Sequence, residues 1–176
     1  MVLCLLPVWG GGCDVRPDPV DDPYVRAKIK VPEEHPDGPS ERVFAATGKA
    51  SETGGDLVIK ARSGSDALFM TIDSFPDREG VFEMGSSTSF GAWGSIPSSC
   101  SDWGPTSPPP CTLTHTSRQN WGYLVVTTYR SDQIAGTFNF RAHDPNEPET
   151  SLNLTDGELN QPWAGSRRAE SALPLP

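Results

Sequence analysis

The chain is short of positive charge, of long apolar runs and of the motifs that mark catalysis. Its 176 residues hold 14 lysines and arginines against 23 aspartates and glutamates, a formal net charge of −9. Such a surface repels phosphate, which argues against nucleic acid and against a basic patch laid on anionic lipid. No Cys-x-x-Cys occurs and no histidine stands at zinc-finger spacing, so a structural zinc site is not expected. No Gly-x-Ser-x-Gly elbow is present. His35, His115 and His143 form no Ser-His-Asp set with any one serine, and His143-Asp144 reads as a strand end entering a turn. Asp144, Asn146, Glu147 and Glu149 crowd one turn, but Pro145 and Pro148 break the calcium-loop pattern. Asp73, Asp77, Glu79 and Glu83 could supply a glycosidase pair only as any acidic protein could. The sequence asks for no cofactor, no metal and no catalytic residue, and a non-enzyme is expected.

Helical periodicity is missing too. No stretch of the body keeps apolar residues at helical spacing for three turns. The hydrophobic share is 35%, with 17 glycines and 18 prolines, which suits short strands joined by tight turns.

What is present is alternation. Val25 to Val31 alternates, as does a short run over residues 42–48. Leu57, Ile59 and Ala61 share one face, then Leu68, Met70 and Ile72, with the turn cluster Ser63-Gly64-Ser65-Asp66 between them, a hairpin signal. Gly80 to Met84 and, more weakly, Ser89 to Trp93 follow. Trp121 to Tyr129 is apolar and β-branched at successive positions, which predicts a central strand buried on both faces. Ile134, Gly136, Phe138, Phe140 and Ala142 occupy every second position and so line one face. Leu152 and Leu154 return to the core, and Asp156-Gly157 marks a turn or bulge, with a positive φ expected at the glycine. The expected fold is all-β: about eight to ten antiparallel strands over residues 25–163. Alternation alone leaves barrel and sandwich open, and a calycin-like barrel is slightly favoured.

The cysteines indicate the compartment. Cys100 and Cys111 close a run with four prolines and a glycine that cannot be regular structure, and they read as a disulfide staple of an oxidising compartment. Cys4 and Cys13 lie apart in the apolar opening, where Gly11-Gly12-Cys13 resembles a lipobox and marks Cys13 as a lipidation site. Residues 1–13 are then a leader, 14–24 an acidic, proline-rich tether and 164–176 a disordered tail.

The strands Ile134-Ala-Gly-Thr-Phe-Asn-Phe-Arg-Ala142 and Leu152-Asn-Leu-Thr-Asp-Gly-Glu-Leu159 resemble those of a family of uncharacterised bacterial lipoproteins. Phe44–Gly48, Leu57–Ala61 and Gly80–Gly85 fit the same order. The resemblance implies a secreted or lipid-anchored envelope domain, held to the membrane through Cys13. It implies no activity.

Tryptophan gives the best functional lead. Trp93 and Trp103 flank Cys100, and Trp121 opens the next strand. On a rigid β scaffold they could form a flat platform for a sugar or a protein partner, or they could pack over the disulfide. The expected role is therefore binding or accessory, with an unknown protein or glycan partner. The alternatives are a carbohydrate-binding module using the Trp-rich loop, or a barrel with an apolar ligand in its mouth.

Overall fold

The computed structural model describes residues 23–33 and 38–164. Cys13, the leader, most of the tether, His35 and the tail beyond residue 164 lie outside them. The described residues contain nine strands and no helix. They are β1 (Tyr24–Val31), β2 (Ser40–Thr53), β3 (Asp56–Ser63), β4 (Asp66–Ile72), β5 (Gly80–Met84), β6 (Phe90–Ser95), β7 (His115–Tyr129), β8 (Gln133–Asp144) and β9 (Glu147–Ala164). β1 to β4 pair antiparallel in sequence order, β4 pairs β6, β5 and β6 both pair β7, β7 pairs β8, β8 pairs β9 and β9 returns to β1, so the sheet closes into an eight-position, calycin-like barrel. Closure leaves few free edges, which a sandwich would keep.

One barrel position is split. β6 pairs the start of β7 (Ala92 with Thr116), whereas β5 pairs its later half (Met84 with Gly122). The two short strands run in line on one side of β7, interrupted by Gly85–Ser89. Ser86 accounts for the break: its Oγ accepts the backbone N–H groups of Thr88 and Ser89, a local turn that competes with the ladder.

The barrel is filled rather than hollow. One apolar cluster draws residues from every strand, with Ile29, Ile59, Met70, Leu124, Phe138 and Leu154 among those fully buried. Both ends are closed by aromatic side chains. At one end Trp93 sits edge-on to Phe44, with the Arg42 guanidinium over the indole and tied to Asp66 at 3.1 Å. At the other, Phe75 packs against Phe82, Tyr129 and Trp163. Phe75 is carried by the β4–β5 connection, whose backbone is anchored by Phe75 N–H on the Gly55 carbonyl and Ser74 N–H on Asp56 Oδ1. The Tyr129 hydroxyl donates to Asp77 Oδ1 at 3.0 Å. Burial, reinforced by that carboxylate, pushes the phenol up to about 12.

Two expectations need correction and one open choice is resolved. β7 is buried on its inner face only; Trp121 and Tyr123 stand exposed on the outside. Of the turn or bulge expected at Asp156-Gly157 the structure has the bulge: β9 runs on through Thr155-Asp156-Gly157, and the irregularity opposite Phe138 and Phe140 absorbs the extra residue. The positive φ falls on Asp156 (50°), not on Gly157. Gly157 is glycine for a different reason: a Cβ there would strike the Phe138 carbonyl and ring.

Gln161 is the anomaly of the interior. It sits on β9 opposite Ile134, fully buried, and neither Nε2 nor Oε1 has a hydrogen-bond partner. An unpaired buried amide loses its water without compensation. Gln161→Met, of similar length and unbranched, is therefore expected to raise stability by about 1–2 kcal/mol. Urea denaturation would check this, and a fall in the midpoint would show that the amide is satisfied in solution.

Candidate functional site

The stapled connection between β6 and β7 divides the outer wall of the barrel into a covered half and a bare half. Cys100 and Cys111 are disulfide-bonded, with Cα atoms 5.6 Å apart. Around them Ile96, Trp103 and Leu113 pack on Ala67 and Ala92, which point outward from β4 and β6, and form a second, smaller core. Two cations of β3 hold the connection down by its carbonyls. Lys60 donates to the Trp103 carbonyl at 2.9 Å, and Arg62 donates to those of Cys100, Ile96 and Pro97. Lysine and arginine suit the task because their stems lie along apolar surface while their heads reach polar atoms. The long loop is thus a packed flap over β3, β4 and β6.

This arrangement separates the three tryptophans read from the sequence. Trp93 belongs to the barrel interior at 2% exposure, and Trp103 to the core under the flap at 8%. Trp121 alone of the three faces solvent, at 40% exposure. They share no common face.

Trp121 stands on the bare half, over β7, β8, β9 and β1. Tyr123, two residues further along β7, is 43% exposed on the same wall. Tyr123 was not among the residues singled out from the sequence; its place two positions from Trp121 on a strand was the available signal. Beside them lie two adjoining hollows. One, of about 270 Å³, is lined by Lys30, Trp121, Asn139, Arg141, Asn153 and Thr155, with Phe140 and Leu154 at its base. The other, of about 430 Å³, is lined by Tyr123, Thr137, Asn139, Asp156 and Glu158 over Phe138 and Gly157. Asn139 is common to both, so they form one shallow trough. The register explains the assembly: Asn139 lies opposite Tyr123, Arg141 opposite Asn153, and Asn153 opposite Lys30.

Charge is uneven along the trough. The Arg141 guanidinium lies 5.3 Å over the Trp121 ring, and its Nη2 donates to Ser151 Oγ at 2.9 Å. The Trp121 edge also meets the His143 ring at 5.4 Å. At the far end Lys28 and Asp156 pair at 2.8 Å. That contact holds the Asp156 carboxyl below the usual carboxylate range and raises the Lys28 ammonium. Both groups are open to solvent, where such a pair contributes little to stability.

A further hollow, of about 390 Å³, lies at the break between β5 and β6, against Ser86, Phe90, Pro105 and Ser117. Two of its hydroxyls already serve the local backbone. Ser86 Oγ holds the turn, and Ser117 Oγ accepts the Gly91 N–H at 2.8 Å. It offers no charged lining group, and the trough is the better-furnished site. The acidic turn after β8 is an ordinary Asx turn in which the Asn146 N–H donates to Asp144 Oδ1 at 2.8 Å. No family model, curated protein or solved structure matches this chain.

Proposed function

We propose that this chain is a non-catalytic binding domain of the bacterial cell envelope, secreted or lipid-anchored, that takes a glycan on the outer wall of its barrel. The observation that carries the reading is Trp121. A large aromatic side chain left 40% exposed on the outer wall, beside the exposed Tyr123 and above a polar-lined hollow, offers an apolar face suited to stacking on a sugar ring. Asn139 and Asn153 stand beside it with amide donors and acceptors suited to sugar hydroxyls. Lys30, Asn139, Arg141 and Asn153 sit on paired strands, so little order has to be gained there on binding, and Trp121 adjoins them from the irregular stretch of β7 between Ser117 and Gly122. The filled interior and the aromatic closures favour the wall over the mouth as the place for a ligand. The Cys100–Cys111 staple suits an oxidising compartment, and the likeness of β8 and β9 to lipoprotein strands points the same way.

A glycan array on the intact protein, followed by calorimetry of the best binder, tests the reading. Trp121→Ala is expected to weaken that binding at least tenfold, with the melting temperature within a few degrees of the parent. Trp103→Ala is expected to lower stability without a specific effect on affinity. A correctly folded parent that binds no glycan would remove the proposal.

A further inference from the structure

We infer that the glycan carries a single carboxylate, held by Arg141 with Lys30 as a second cation; the inference rests on the proposed glycan site and specifies its ligand. The guanidinium is fixed before any ligand arrives. Trp121 lies against its face and Ser151 Oγ takes one hydrogen of Nη2. The β8–β9 register sets Arg141 opposite Asn153, and the β1–β9 register sets Asn153 opposite Lys30, so arginine, amide and ammonium line one hollow; the Lys30 ammonium also pairs with Glu41 at 3.5 Å, which makes it the weaker of the two cations. A planar guanidinium with most of its donors uncommitted matches the two oxygens of a carboxylate, and fixing it beforehand removes the entropy cost of ordering a long side chain.

The other half of the trough restricts the ligand further. It presents Glu158 together with Asp156, whose charge is offset by its pairing with Lys28, so a second anionic group on the next sugar would meet Glu158. The whole chain is also strongly acidic, at a net charge of −9. A polyanion is therefore disfavoured, and the fitting ligand has an acidic sugar at the Arg141 end and a neutral one over Tyr123. Asn139, shared by both hollows, faces the linkage between them.

The test uses the intact protein and pairs of oligosaccharides that each carry one terminal uronate, either free or as the methyl ester. The ester removes the charge and leaves the rings unchanged. The free acids are expected to bind about tenfold more tightly than their esters at low salt, with the difference shrinking as salt rises. Arg141→Gln should abolish the preference for the acid over its ester. Arg141→Lys should restore part of it, since an ammonium supplies charge without the fork. Lys30→Gln should reduce the preference by a smaller factor. Equal affinity for every acid and its ester, with Trp121→Ala still weakening both, would overturn the carboxylate inference and leave the glycan reading standing. Failure of every pair and every neutral glycan to bind would overturn both.

Discussion

Alanine at Gly136 is expected to cost about 3 kcal/mol or more, although it adds one methyl group to a β-strand that ordinarily prefers alanine to glycine. Gly136 lies on the inner face of β8, paired with Val126 on β7 and Leu159 on β9. A Cβ there would press directly on the Val125 carbonyl oxygen and lie 3.1 Å from Val126 Cα. These are backbone atoms of the neighbouring strand, so no rotamer change relieves the contact. The β7–β8 ladder shifts register between Val126 and Thr128, where β7 folds in over the glycine as the sheet turns to close. Gly136→Ala must therefore open the β7–β8 seam. Gly80→Ala is the control: its nearest neighbour is the tip of the Phe82 ring at 3.5 Å, an ordinary contact, and it is expected to be neutral or slightly stabilising. Urea midpoints of the two variants would settle the comparison. If Gly136→Ala stayed within about 0.5 kcal/mol of the parent, the close approach of β7 would be refuted.

That glycine illustrates how far the sequence could be read. The inward set of β8, from Ile134 to Ala142, is a strict period-two pattern, and it emerges buried as expected. The β3–β4 hairpin was equally plain, because its turn cluster lies between two alternating runs. The beginning of β7 carried no such signal. His115-Thr116-Ser117 has no apolar alternation and is extended because β6 and β8 supply ladders on either side. The continuity of β9 was left open for a related reason: Asp156-Gly157 reads locally as a turn or a bulge, and only the neighbouring strands decide for the bulge. The trough was legible in part. Trp121 was visible as one of three candidate tryptophans, although the run it opens reads as a strand buried on both faces. Its companions Asn139, Arg141 and Asn153 come from the two strands that follow, and each looked like a routine outward polar residue. Lys30 comes from β1, and only closure of β1 on β9 places it with them, which alternation does not predict.

Removing the staple is the second large perturbation, and its effect should be localised. Replacing Cys100 and Cys111 together by alanine reopens a loop with a sequence separation of 11. Chain entropy alone then predicts a loss of about 3 kcal/mol, equivalent for a domain of this size to a melting point lower by on the order of 10 °C. The barrel core shares no residue with the smaller core beneath the flap. The interactions most exposed to the change are those of Arg62 with the carbonyls of Cys100, Ile96 and Pro97, and of Lys60 with that of Trp103, because each depends on the loop holding its shape. The double variant should keep its far-ultraviolet β signature while Trp103 gains solvent exposure, seen as a red shift in fluorescence that Trp103→Phe removes. Ligand binding at Trp121 should persist below the new melting point, since the trough lies on strands the flap does not cover. Loss of the whole β signature at 25 °C would mean that the cross-link supports the barrel itself. An unchanged melting point would mean that Arg62 and Lys60 alone are sufficient to hold the flap.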